Sequence, residues 1–207
     1  MTVRINEEIL QDVDIIGTYD TTKVIITPLL DISEESGDNQ IGSAGIDLRL
    51  DTRFKRVLTQ KMHCIDPQKK YHEQDLYEII EIDMDDEKDV YILHPGDFVL
   101  SQSLEYIRLP NNFVATVDGR SGLGRLGLIV QTAGWVDPGF QGHLVFELCN
   151  LGSAPIILRP FIRIARLTLI KTSLTKRPYK GKYQYQVWVK GIIPDVYRKE
   201  GGNNERK

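Results

Sequence analysis

Between residues 118 and 142 the chain gathers the residue types that hold a phosphate. Seven of its 17 glycines fall between Gly119 and Gly142, in the company of Asp118, Arg120, Ser121, Arg125 and Asp137. Glycine lets a backbone approach a ligand closely. Exposed N–H groups beside Arg and Ser can then cradle phosphate oxygens. Tight turns in any β protein would use glycine too; the charged and hydroxylic neighbours are what point to a ligand. Gly122, Gly124 and Gly127 also spell G-x-G-x-x-G. A dinucleotide fingerprint needs a crossover helix after that spacing and an acid about 20 residues on. Here Leu128 to Gly134 runs into another turn and Asp137 comes too early, so that site is rejected.

Glu147 is the next residue able to do chemistry. It lies mid-strand: Leu144, Phe146 and Leu148 share one face of His143–Cys149, and His143, Val145, Glu147 and Cys149 share the other. A carboxylate there is either a solvated strand charge or an acid–base group. His143 on the same face reads as structural. The cysteines, Cys64 and Cys149, are 85 positions apart and lie outside the H-x-E and P-C-x-x-C pattern of zinc-dependent base deaminases. They also give no disulfide framework. His63, His72, His94 and His143 have no metal-ligand spacing.

The elements that must position these residues are short. Asn6 to Ile16 could form a helix, and Ser33 to Asn39 reads as a loop. Val24–Ile26, Ile46–Phe54, Val90–Leu93, Phe98–Leu100 and Phe113–Val117 read as strands, cut by Pro95-Gly96, Pro110, Pro138-Gly139, Pro155 and Pro160. The apolar phase slips after Ile162 and Ile164, which predicts a bulge near Ala165-Arg166. Helical periodicity over a long window is absent after residue 20. The acidic run Glu81–Asp89 reads as a solvated face. This pattern predicts a β-sandwich or barrel, with one domain over residues 1–200 and a polar, disordered tail over 201–207.

Composition narrows the function. The net charge is -3, yet no acid stands between Glu147 and Asp195, where nine Lys and Arg residues fall. That basic stretch either concentrates an anionic ligand or packs against the acidic first half. Long nucleic acid is a weaker partner for a slightly acidic chain without a nucleic-acid motif. No apolar run could span a bilayer, the N-terminus has no signal-peptide pattern, and a reduced cytoplasmic setting is expected.

Gly119 to Leu128 resembles the dCTP deaminase family. The likeness continues through Gln131 to His143, Phe146-Glu147-Leu148 and Asn150. It also takes in Ser43 to Leu50, His94 to Leu100, Leu109-Pro110 and Lys182 to Gln186; residues 51–90 match poorly. The resemblance implies a mainly all-β, distorted barrel or jelly roll of the dUTPase-like type with short peripheral helices. It implies a homotrimer with active sites between subunits, Mg²⁺ bound through the triphosphate, and zinc-independent deamination of dCTP to dUTP and ammonia. It assigns proton transfer to Glu147, with Ser121 and Arg125 holding the water and the glutamate. Arg120, Lys182 and Gln186 would serve the phosphates and Asp137 the sugar and nearby water. Gly122, Thr132, Ala133 and Tyr179 complete the implied substrate-binding set. The physics of the reaction agrees: cytosine C4 needs an activated water and the leaving amine needs a proton, and one positioned carboxyl can provide both.

Several residues depart from the family pattern. Gly122 stands where Ser is usual and matches dUTPases, as does the spacing from Ser121 to Asp137. Phe161 replaces a Gly and Arg166 a Gln. Two alternatives therefore stay open: a dUTPase, or a bifunctional enzyme giving dUMP and pyrophosphate; and a non-catalytic nucleotide-binding regulator on the same fold.

Overall fold

Alternation along Gln141–Asn150 sets the core. Leu144, Phe146 and Leu148 point inward and are buried, while His143, Val145, Glu147 and Cys149 on the other face are half-buried. A computed structural model describes residues 13–14, 22–29, 39–58, 64–130 and 133–191. Among them the strands are β1 (Val13–Asp14), β2 (Val24–Thr27), β3 (Ile46–Arg49), β4 (Arg53–Val57), β5 (Tyr77–Glu81), β6 (Tyr91–Leu93), β7 (Phe98–Arg108), β8 (Phe113–Gly119), β9 (Leu128–Val130), β10 (Trp135–Val136), β11 (Gln141–Asn150), β12 (Ile156–Leu158) and β13 (Arg163–Lys171). Two one-turn helices, Glu73–Leu76 and Ser121–Gly124, lie among them. None of the described helices is long and apolar enough to cross a membrane.

The seven-stranded sheet is ordered β1-β2-β7-β11-β9, with β4 also pairing β7 and β5 pairing β4. A four-stranded sheet runs β10-β8-β13-β3, and β6 and β12 form a ribbon. Both sheets turn their apolar faces into one core, where Phe54, Phe113, Phe146, Ile107, Leu48 and Leu167 are fully buried. Each such side chain contributes roughly 1.5–3 kcal/mol on leaving water. This is the mainly β, barrel-like architecture that the sequence implies.

The strand predicted from Ile46 to Phe54 is two strands in different sheets. The chain turns a corner at Leu50, which donates its N–H to Ile162 O and accepts from Phe161 N, while Asp51 N donates to Gln102 O (3.0, 2.8 and 3.0 Å). Hydropathy cannot show this, because the backbone changes partners while staying extended. The strand predicted at Phe98–Leu100 runs on to Arg108. Buried Ser101, Gln102, Ser103 and Glu105 interrupt its apolar signal. Glu105 is satisfied internally, accepting from Gln40 Nε2, Arg49 N and Arg49 Nε at 2.8, 2.9 and 2.7 Å. A buried carboxylate needs such partners.

The predicted slip in β13 is present: its register with β3 shifts between Arg163 and Ala165. Val13–Asp14 pairs parallel with β2 and is not helical. The rest of the helix predicted over 6–16, nearly all of the 33–39 loop and the tail over 201–207 fall outside the described residues. Cys64 and Cys149 are both free.

Candidate active site

The outward face of β11 forms the floor of a cavity of about 470 Å³, a volume suited to a small ligand. Glu147 and His143 lie on that floor, and Ala133, Trp135 and Asp137 form a wall. Ala133, Trp135 and Asp137 alternate with Gly134 and Val136. Val136 is buried, and a Cβ on Gly134 would stand 2.3 Å from Val117 O. Only glycine therefore lets β10 lie this close to β8 and turn its odd-numbered residues toward the cavity.

The roof is the segment 179–191, a strap laid back over β11. Tyr179 N donates to Pro138 O (2.7 Å), Tyr185 N to Gln141 O (2.7 Å) and His143 N to Gln186 O (2.8 Å). Gln184 Nε2 adds a bond to Gly139 O at 2.8 Å. Farther along, Trp188 lies against the Arg53 guanidinium, 3.4 Å from Cζ to ring centroid. Gly191 packs so close to the Tyr77 ring that a Cβ would clash with it. Gln186 is only 2% exposed and lines the cavity. Its Oε1 is buried with no hydrogen-bond partner among the described residues. Such an orphan acceptor costs about 1–3 kcal/mol until a donor meets it.

His143 has a defined tautomer. Its Nδ1 is 2.9 Å from Ser103 O, which can only accept, so Nδ1 carries a proton. Tyr106 stands edge-on to the imidazole at 5.6 Å, and burial pushes the Tyr106 phenol above its ordinary value, which keeps it neutral.

The residues proposed from sequence divide into two groups within one chain. Ala133, Asp137, Glu147, Tyr179 and Gln186 line this cavity. Arg120, Ser121, Gly122 and Arg125 do not; they sit on and beside the helical turn Ser121–Gly124 at the end of β8, with Ser121, Gly122 and Arg125 exposed. Arg120 pairs with buried Asp47 at 3.4 Å and Arg166 pairs with the same carboxylate at 3.1 Å, so the Arg at 166 serves an ion triad. Lys182 is exposed on the strap, with Nζ 5.6 Å from the Tyr183 ring centroid. Thr132 lies outside the described residues. Of the three glycines in the G-x-G-x-x-G run, only Gly127 has a positive φ, 96°, and the run leads into β9 without a crossover helix. Gly122 and Gly124 face open space.

Among the cavity residues to which the sequence assigns no site role are Trp135, His143 and Tyr77. Trp135 carried a detectable signal, the alternation with Ala133 and Asp137. His143, which reads as structural in the sequence, both holds Ser103 and lines the cavity. Tyr77 comes from the poorly matching 51–90 segment and had no signal. A larger hollow of about 1020 Å³ nearby shares Tyr179 but has no acid or histidine in its lining. The smaller cavity is therefore the one equipped for acid–base chemistry.

Comparison with known proteins bears on the family and the fold. A family model described as dCTP deaminase-like matches residues 9–172. The chain is 43% identical over 176 residues to a protein of Dictyoglomus turgidum named "dCTP deaminase, dUMP-forming", covering 84% of this chain and 86% of that one. It is 39% identical over 184 residues to a "dCTP deaminase" of Halorubrum lacusprofundi, covering 86% and 87%. Among solved structures, 2'-deoxycytidine 5'-triphosphate deaminase from Agrobacterium tumefaciens aligns with a TM-score of 0.52 at 20% identity, over 70% of this chain and 43% of that chain. That last likeness speaks to the fold.

Proposed function

The chain belongs to the dCTP deaminase-like family, and from that premise we propose that it hydrolyses dCTP to dUTP and ammonia, a step toward dUMP and dTTP. The observation that carries this reading is Glu147 on the floor of a cavity that also holds Asp137 and lies under an acid-free, lysine-bearing strap. Glu147 takes a proton from water as the water oxygen adds to cytosine C4. It then delivers that proton to the C4 amine; the C–N bond breaks and ammonia leaves, while the proton left on the added oxygen passes to N3, so that C4 becomes the carbonyl of uracil. One carboxyl thus serves as base and then acid.

Ser121 and Arg125 hold the water and the glutamate in this reading. Neither lines the Glu147 cavity within one chain, which supports the reading that a neighbouring subunit of a homotrimer supplies them. Arg120 and Lys182 take the phosphates, with Gln186 beside them. Asp137 takes the sugar, and Gly122, Thr132, Ala133 and Tyr179 complete the contacts. The orphaned Gln186 Oε1 would accept from a substrate hydroxyl or a water.

Among the described residues no group of three or more His, Cys, Asp or Glu side chains is gathered that could hold a metal ion. In this reading Mg²⁺ would be bound through the triphosphate and not by a protein side chain directly. It would offset phosphate charge. The setting that fits such an enzyme is the cytoplasm, without long nucleic acid or membrane as partner.

A second reading adds cleavage of the triphosphate to dUMP and pyrophosphate. It rests on the name of the Dictyoglomus relative. One assay separates the two: purified protein with dCTP and Mg²⁺, followed by product identification. Ammonia with dUTP supports the first reading, and ammonia in step with pyrophosphate supports the second. Glu147→Gln should lower ammonia release by about 10²–10⁴-fold while dCTP still binds. Unchanged release would remove Glu147 from the mechanism.

A further inference from the structure

We propose that Trp135 is the positioning residue for Asp137. The inference rests on the reading of Asp137 as the sugar-side carboxylate of a deaminase, and it adds a residue to which that reading gives no role.

The geometry begins with the two-residue strand β10. Val136 is buried and Gly134 is pressed against Val117, so the side chains of Ala133, Trp135 and Asp137 line the cavity together. Trp135 is 59% exposed, an unusual state for the largest apolar side chain. The exposure has a polar counterpart: Trp135 Nε1 donates to Asp137 Oδ1 at 3.1 Å. Indole N–H is a donor only. A bond from it to a carboxylate is charge-assisted and roughly twice as strong as a neutral one.

An exposed aspartate on a loop rotates freely about two side-chain bonds. Here one oxygen is taken by the indole, which fixes the plane of the carboxylate and leaves Oδ2 for a ligand. The indole is itself held, because its strand pairs with β8 through Trp135↔Thr116 and Val136↔Ala115. Rigid placement of this kind raises the fraction of bound complexes in reactive geometry. Trp135 thus acts on the substrate through Asp137 and not by contact of its own.

The test is a double-mutant cycle read by ammonia release from dCTP. Trp135→Phe keeps a ring and removes the donor. It should lower kcat/KM by about ten-fold, the scale of one hydrogen bond to a charged group. It should leave the thermal midpoint near that of the wild type. In an Asp137→Ala background the same Trp135→Phe change should cost nothing further. A full second loss in that background means that Trp135 acts independently of Asp137, and it overturns the proposal. So does wild-type kcat/KM in Trp135→Phe, which leaves the deaminase reading standing. A wild-type protein that releases no ammonia from dCTP overturns the deaminase reading and this proposal with it.

Discussion

Phe161 holds its backbone at φ 66°, where a Cβ crowds the following carbonyl at a cost of about 1–2 kcal/mol. The ring is 43% exposed and recovers only part of that by burial. Glycine at 161 would relieve the strain but loosen the unfolded chain. We expect Phe161→Gly to stabilise the protein by about 0.5–1 kcal/mol, seen as a higher urea midpoint at unchanged slope. A lower midpoint would mean that the ring packs better than its exposure implies. This strain was half legible in the sequence, since the resemblance places Gly there, but a residue type alone does not disclose a φ. The cavity carboxylates were legible through the resemblance: the strand pattern alone leaves Glu147 open as a solvated charge on the half-buried face of β11. Trp135 lies inside the matching stretch, and its alternation with Ala133 and Asp137 puts it on their face, but the resemblance assigns it no role.

The strap and the corner at Leu50 mark where elements stop being readable from pattern. Lys182 to Gln186 was recognised by likeness, yet its path is set by backbone bonds to Pro138, Gln141 and His143, which any sequence could make. Its far end is fixed by side chains. Trp188 on Arg53 is a contact of about 0.5–2 kcal/mol, and Arg53 belongs to the segment that the likeness does not cover. We expect Trp188→Ala to free the strap end, so that trypsin cuts at Lys180 and Lys182 sooner. KM for dCTP should rise about five-fold, matching about 1 kcal/mol, with kcat changed less. Unaltered proteolysis and KM would show that the backbone bonds alone hold the roof. Strands such as β11 were legible because one face is buried and the other is not. β7 was not, because its buried polar residues mimic a loop.

At the scale of the whole molecule, the separation of Arg125 from the Glu147 cavity has a consequence for assembly. Light scattering should give about three times the 23.6 kDa chain mass. A fully active monomer would contradict the shared-site reading. Mixing gives a sharper check. Glu147→Gln and Arg125→Gln chains, each inactive alone, should regain about a quarter of wild-type activity when co-assembled, because a closed ring then contains some sites with both native residues. No recovery in confirmed mixed assemblies would put both residues in one chain's site. The two tryptophans have a consequence of another kind. They are the only ones in the sequence, and one stands in the cavity wall while the other belongs to the strap and stacks on Arg53. Emission excited selectively from tryptophan therefore comes from the site and its roof, while the core, with Tyr91 and no tryptophan, contributes none of it. Nucleotide titrated into unlabelled protein should shift or quench that emission, and Trp188→Ala would leave a single tryptophan reporting from beside Asp137.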